Sequence, residues 1–175
     1  MAVRGTEMVR GVPTYHTVFH VKGGIPFFRV NSVFQSWMGM RDLASYRFVQ
    51  DQDEGPKERQ RRYEIFPDRR TYAEEITGGG EKPSVANAVD DGSFLYFLRT
   101  VPLEVGKSYS FNRYYKPDRN PITIRVLRRE TVKVPAGTFQ AVVVQPVIKT
   151  KGIVSEGGRA EVWLSDDDER VRRRL

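Results

Sequence analysis

The sequence contains no cysteine and only two histidines among its 175 residues. Without cysteine, the chain can form no disulfide bond, no thiolate metal site and no cysteine nucleophile. It also has no run of about 18 apolar residues, which is the length a helix needs to span a bilayer. The first seven residues show no apolar signal core. A chain without thiols suits oxidising and reducing surroundings alike, so the missing cysteine does not identify the compartment.

Positive charge exceeds negative charge, with 29 Lys and Arg against 22 Asp and Glu and a net charge of +7. The basic residues are concentrated at 57–62, 125–129 and 170–174. Such a field attracts anionic partners, including lipid headgroups and nucleic acid. A nucleic-acid-binding domain would also show a known motif or interleaved aromatics, and the sequence has neither. The basic runs are therefore interpreted first as solvated faces of strands and a terminus, with a lipid headgroup or nucleic acid as the alternative partner.

Alternation of polar and apolar residues predicts β-strands along most of the chain. In 15–21, for example, Tyr15, Thr17 and Phe19 fall on one face. Gly23, Gly24 and Pro26 predict a turn after this strand. The other predicted strands are 27–37, 45–50, 58–66, 70–76, 107–115, 122–134, 139–148 and 160–164, and 78–88 is predicted to be a loop.

One short helix is predicted at about 91–101, with Pro102 after it. Asp90, Asp91 or Ser93 can cap its start. Leu95 and Tyr96 make the segment apolar nearly all round, which predicts a buried helix. Apolar residues recur at the helical spacing of i, i+3, i+4 and i+7, namely at Phe94, Phe97, Leu98 and Val101.

These elements predict a mainly β protein, an antiparallel meander forming an open or closed barrel with the helix packed into or across its mouth. No second core and no linker is evident, so 1–175 is predicted to be a single barrel-like domain. A sheet that ended at 164 would leave an exposed edge. We therefore expect the chain to be a fragment that lacks closing C-terminal strands.

The polar motifs give little support for a metal site or a cofactor. On a strand, His16 and His20 would lie about 13 Å apart and could not share one ion. The acidic run 166–169 lies on a predicted turn, where consecutive carboxylates cannot all face one point. Neither a metal nor a cofactor is predicted.

Catalysis is predicted only as an alternative. Glu74, Glu75 and Glu161 could supply the carboxylate pair of an enzyme acting on a cell-wall or surface glycan, but no spacing brings them together. The sequence contains no Gly-x-Ser-x-Gly elbow. We therefore favour a protein without enzymatic activity.

Aromatic residues are the most suggestive feature. They could line a hydrophobic cavity that binds a lipid, with an arginine of the helix or of the basic strands meeting an anionic headgroup. The competing interpretation is that they fill the interior of a small barrel. The candidate lining residues are Phe94, Tyr96, Phe97, Arg99, Trp37 and Trp163.

Three segments resemble, in order, recurring segments of the domain of unknown function 3108 family: DGSFLYFLRTVPL at 91–103, VPAGTFQA at 134–141 and EVWLSDD at 161–167. RYEIF at 62–66 and GVPTYH at 11–16 are similar as well. The resemblance implies an antiparallel barrel or half-barrel fold in a protein exported by Gram-negative-type bacteria. It therefore implies a location in the periplasm or at the outer membrane, and it assigns no catalytic residue. It also implies a first strand that this fragment lacks, and a lipid or another anionic envelope component as the partner.

Overall fold

The computed structural model describes residues 2–25, 28–54, 57–75, 78–147 and 160–166. The chain divides into two compact units, Met1–Leu95 with Tyr114–Pro117 and Tyr96–Arg113 with Asp118–Leu175. Strands make up 63% of the described residues, which confirms the mainly β prediction. The single-domain prediction stays a prediction.

The first unit contains a seven-stranded antiparallel sheet in which each strand pairs with the next along the chain. Short connections require this arrangement, because parallel neighbours need long crossovers. The strands are β1 (Ala2–Val9), β2 (Val12–Ile25), β3 (Phe28–Gly39), β4 (Ser45–Glu54), β5 (Lys57–Phe66), β6 (Thr71–Glu74) and β7 (Glu81–Pro83).

The second unit contains a four-stranded antiparallel sheet in the order β11-β10-β9-β8. In the residues that the structure describes, no pairing closes either sheet into a barrel. The antiparallel meander is thus confirmed, and the closed barrel is not found. The strands are β8 (Ser108–Phe111), β9 (Ile122–Val134), β10 (Gly137–Val147) and β11 (Val162–Ser165).

Three strand predictions are corrected. β1 was not predicted, because its side chains are exposed up to Met8 and carry no apolar alternation. The predicted turn does not include Gly23 and Gly24, since β2 continues through both and pairs them with Val30 and Arg29, and Pro26 lies outside the described residues. The predicted loop 78–88 contains the short, exposed strand β7.

The buried helix is confirmed, but it is shorter than predicted. The helix α1 (Ser93–Leu98) has six residues, and it is the single α-helix of the described part of the chain. Phe94, Phe97 and Leu98 are buried, whereas Leu95 and Tyr96 are only half-buried. Backbone hydrogen bonds between residues three apart follow Leu98 and end the helix. Within the described ranges, no helix is long and apolar enough to cross a membrane.

Aromatic rings on adjacent strands form the core of the first unit. Phe48, Tyr63 and Tyr72 come from β4, β5 and β6, and Tyr115 packs edge-on against them with ring centroids 6.2, 5.3 and 5.3 Å away. Edge-to-face packing is a favourable geometry for aromatic pairs. These rings cover one face of the sheet.

Asp90 connects the start of α1 to this sheet. Its Oδ1 accepts hydrogen bonds from the backbone N–H groups of Gly92 and Ser93, both at 2.8 Å, as an N-cap residue does. The hydroxyl of Ser36 on β3 donates to the same oxygen at 2.5 Å, and that of Ser45 on β4 donates to Oδ2. Of the three predicted caps, Asp90 is the one used.

Asp90 is fully buried, and its burial raises the pKa of the carboxyl group from its ordinary value of 3.8 to about 6. The hydrogen bonds from Ser36, Ser45 and Ser93 oppose this rise, because they stabilise the charged form. Asp90 is therefore ionised at neutral pH, but keeping this charge buried lowers the free energy of unfolding.

That cost predicts a pH dependence of stability. Because the pKa is raised in the folded protein, the stabilising contribution is fully present below the ordinary pKa and is lost as the pH rises through about 6. We expect the unfolding free energy of the wild type, relative to Asp90→Asn, to fall by about 2 kcal/mol from about pH 4 to about pH 7.5. Urea unfolding of both proteins measures this difference. A difference that is constant over this range contradicts the raised pKa.

Gly92 is required by a close approach to β3. A Cβ atom added there would lie 2.4 Å from Ser36 Oγ. We expect Gly92→Ala to destabilise the protein by about 1–3 kcal/mol, and by less when Ser36 is replaced by Ala. Gly5→Ala is the control, because its Cβ would meet nothing within 4 Å. Equal costs for the two glycine substitutions in urea unfolding would contradict this explanation.

Candidate functional site

A cavity of about 330 Å³ lies on the sheet of the first unit, beside Trp37. Most of its lining comes from β3, β4 and β5, on the face opposite the aromatic core. Register explains the shared face, because Arg47 pairs with both Trp37 and Glu64. We call this the Trp37 cavity, and its lining residues are Trp37, Arg47, Val49, Arg62, Glu64 and Glu75.

The apolar part of the lining is a small core of its own. Trp37 and Val49 are buried and pack with Val9 at the end of β1, and the partly buried Tyr46 packs against them. Trp37 is only 8% exposed. The cavity therefore has an apolar floor.

Trp37 is held in place by polar contacts on both sides of its strand. Its Nε1 donates to Glu7 Oε2 at 2.8 Å, and this hydrogen bond is the main reason that the pKa of Glu7 is lowered. The His16 ring stacks on the indole at 4.3 Å, and the Arg47 guanidinium lies 5.6 Å from the indole centroid. His16 also lies 2.9 Å from Glu7 and 3.0 Å from Gln35. His16 is thus a packing partner of Trp37.

Glu64 forms the charged wall of the cavity. One carboxylate oxygen accepts a hydrogen bond from Arg10 and the other accepts one from Arg47. Arg10 also donates to the carbonyls of Tyr46 at 2.8 Å and Ile65 at 2.6 Å. Arg10 lies in the β1–β2 turn, so this residue fastens that turn to β4 and β5.

Arg62 and Glu75 lie at the exposed rim. Arg62 has no ion-pair partner among the described residues, whereas Arg47 is engaged by Glu64. The cavity therefore combines the apolar surfaces of Trp37 and Val49 with Arg62, which forms no salt bridge to a described residue, and with the carboxylate of Glu75. This combination suits a ligand with an apolar chain and an anionic group.

Two of the six predicted lining residues lie in the first unit. Trp37 lines the cavity just described. Phe94 is buried in α1. The predicted role of Phe94 in binding a ligand stays a prediction.

The other four predicted residues lie in the second unit. There the Phe97 ring packs perpendicular to Phe111 at 5.0 Å. Tyr96 and Arg99 are half-buried. Trp163 is exposed and donates its Nε1 to Glu130 Oε1 at 2.6 Å. Their predicted roles as cavity lining also stay predictions.

The predicted acidic residues are distributed over both units. Glu74 pairs loosely with Arg61 at 3.8 Å, and Glu75 lines the Trp37 cavity. Glu161 lies in the second unit, where it binds Arg128. Asp166 pairs with Arg129, and the rest of the acidic run together with the basic run 170–174 lies outside the described residues.

Sequence reasoning missed most of the cavity lining, including Arg47, Val49 and Glu64. Strand pairing identifies these residues as neighbours, because Arg47 faces Glu64 and Val49 faces Arg62 across β4 and β5. Opposite charges at paired positions stabilise adjacent strands. Without knowledge of the strand register, nothing distinguishes these residues from the other alternating residues of a strand.

Comparison with family models places the whole chain in one family. The model described as "Protein of unknown function (DUF3108)" matches residues 1–175. Searches of curated proteins and of solved structures found no match. The family match confirms the resemblance carried by the segments at 91–103, 134–141 and 161–167.

The Arg–Glu contacts at Glu64 and at Glu81 differ in burial, so we expect their loss to lower the free energy of unfolding by different amounts. The Glu64 side chain is 14% exposed and that of Glu81, which pairs with Arg69, is 42% exposed. We expect Glu64→Gln to destabilise the protein by about 1–3 kcal/mol, because it leaves two partly buried arginines without their anion. Glu81→Gln should cost no more than about 1 kcal/mol. Equal costs in urea unfolding would show that Glu64 does not fasten the β1–β2 turn.

Proposed function

The chain belongs to the DUF3108 family, and we propose that it is a non-enzymatic protein of the cell envelope that binds an anionic amphiphile at the Trp37 cavity. The proposal includes an open, barrel-like curl of the seven-stranded meander. The envelope location rests on the family resemblance, and fractionation of the host cells tests it separately.

The support comes from the mixed lining of the cavity. Ligand sites commonly have volumes of about 300–1,000 Å³ and combine an apolar surface with a few polar groups. In the proposed complex, the alkyl chain contacts Trp37 and Val49. The anionic head accepts charge-assisted hydrogen bonds from Arg62, which are stronger than neutral ones.

Arg62 also sets the preferred charge of the ligand. The Arg47 charge is compensated by Glu64, which in turn is shared with Arg10. A cationic amphiphile would meet Arg62, which forms no salt bridge to a described residue, and like charges repel. The proposal therefore specifies an anionic head.

Tryptophan fluorescence can test this binding directly. The sequence has two tryptophans, so Trp163→Phe leaves Trp37 as the only reporter. In this variant we expect laurate, below its micelle concentration, to give a saturable change in emission, and dodecyltrimethylammonium to bind more weakly. Adding Arg62→Gln should weaken laurate binding by about tenfold, because one charge-assisted hydrogen bond is lost.

Arg59→Gln is the matched control. Arg59 is an exposed arginine of β5, and it lies three positions from Arg62 on the opposite face of the strand. Its replacement removes the same charge and should leave laurate binding unchanged. The proposal fails if laurate gives no saturable change, if both detergents bind equally, or if Arg59→Gln and Arg62→Gln have the same effect.

A second candidate function is glycan hydrolysis by a carboxylate pair, since Glu64 and Glu75 line the same cavity. The hydrogen bonds from Arg10 and Arg47 to both oxygens of Glu64 weigh against it, because they hold the carboxylate away from proton transfer. Release of reducing ends from soluble cell-wall glycan by the wild type, and its loss in Glu75→Gln, would support the enzyme. No release by the wild type would remove it.

A further inference from the structure

Trp163 presents its ring to solvent on the four-stranded sheet of the second unit. It is 47% exposed, whereas tryptophan is on average a highly buried residue. It lies on β11, which pairs only with β10 among the described strands. An exposed indole at a sheet edge offers a flat apolar surface.

The neighbours of Trp163 on the same face are charged. Val143 on β10 pairs with Trp163 on one side and with Arg128 on the other, so the three side chains form a row across the sheet. Glu130 lies two positions from Arg128 on β9 and accepts the Trp163 Nε1 hydrogen at 2.6 Å. Because the valine side chain is small, the indole and the guanidinium are the largest groups of this row.

Arg128 holds two carboxylates at once. Its Nε donates to Glu130 at 2.8 Å, and its two terminal nitrogens donate to the two oxygens of Glu161 at 3.1 and 2.8 Å. These hydrogen bonds lower the pKa of both glutamates, so both are ionised at neutral pH. Each terminal nitrogen of Arg128 keeps a second N–H, and each carboxylate oxygen keeps a free lone pair.

This arrangement is poorly explained by stability alone. The arginine and both glutamates are half-buried. Ion pairs this close to solvent contribute modestly to folding, and fixing long side chains costs conformational entropy. Fixed polar groups around a flat ring do, however, lower the entropy cost of binding a ligand. The hydrogen bonds that fix Trp163, Arg128, Glu130 and Glu161 therefore indicate a surface that is preorganised for a ligand.

We propose that Trp163, Arg128, Glu130 and Glu161 form a carbohydrate platform that binds an uncharged sugar ring. A pyranose has an apolar C–H face, which would stack on the indole. Its hydroxyl groups both donate and accept, so they match the carboxylate oxygens and the guanidinium N–H groups. One arginine and two glutamates leave the platform with a negative charge, which disfavours an anionic ligand.

The platform is independent of the proposed amphiphile site, because it uses other residues in the other unit. Trp37→Phe leaves Trp163 as the only fluorescent tryptophan. With maltotetraose, cellotetraose and chitotetraose as probes, we expect at least one to give a saturable change in emission with a Kd of about 1 mM. Adding Glu161→Gln should weaken binding by about tenfold, and Glu104→Gln, an exposed acid of the same unit, should leave it unchanged.

Saturation-transfer NMR on the unmodified protein provides a readout that needs no substitution. We expect the C–H protons of one sugar face to receive most of the saturation. The proposal is overturned if no oligosaccharide binds up to about 50 mM. It is also overturned if Glu104→Gln weakens binding as much as Glu161→Gln does. A change of Trp163 emission with protein concentration alone would instead identify this surface as a contact between two copies of the chain.

Discussion

The hydrogen bonding of one buried carboxylate fixes the arrangement of the first unit. A buried charge is costly unless hydrogen bonds compensate it, and Asp90 needs all four of its donors for this purpose. Two are hydroxyls from neighbouring strands, Ser36 and Ser45, and two are amides at the start of α1. The helix can therefore begin only where both strands present a hydroxyl, and only with a glycine at position 92, where the backbone comes closest to Ser36.

Strand alternation gives the sheet two chemically different faces, and the Trp37 cavity follows from this. On β4 and β5, Phe48 pairs with Tyr63 on the core face, and Arg47 pairs with Glu64 on the other. The second face also carries the apolar cluster of Trp37 and Val49, and the β1–β2 turn is fastened beside it. Arg10 provides that connection through Glu64 and two backbone carbonyls. The cavity thus depends on a contact between residues far apart in the sequence, and its charge depends on Arg62 being left out of that contact.

The sequence predicts the local features of this protein better than its site. Alternation places β9 correctly at its full length, and helical spacing identifies Phe94, Phe97 and Leu98 as buried. Predictions fail where side chains carry no pattern, as in the exposed strand β1, or where glycine lies within a strand. The cavity could not be predicted, because it depends on which residues face each other across β4 and β5. The choice of Asp90 among three caps likewise depends on two serines more than forty residues away.

The two tryptophans have similar local chemistry, although the ligands proposed for them differ. Each indole N–H is fixed by a glutamate, Glu7 or Glu130, and each ring has an arginine nearby on its sheet face. Burial separates them, because Trp37 is 8% exposed and Trp163 is 47% exposed. Around Trp37, the glutamate at the cavity wall is shared by Arg10 and Arg47, and the rim carries one residue of each sign, Arg62 and Glu75. Around Trp163, one arginine is shared by two glutamates and the excess charge is negative. In the proposed amphiphile site, Arg62 at the rim binds the anionic head beside a recessed apolar floor, whereas in the proposed platform the exposed ring and its carboxylates suit an uncharged, hydrated ligand. In both proposals, the charged groups around the ring, rather than the tryptophan itself, therefore decide the ligand class.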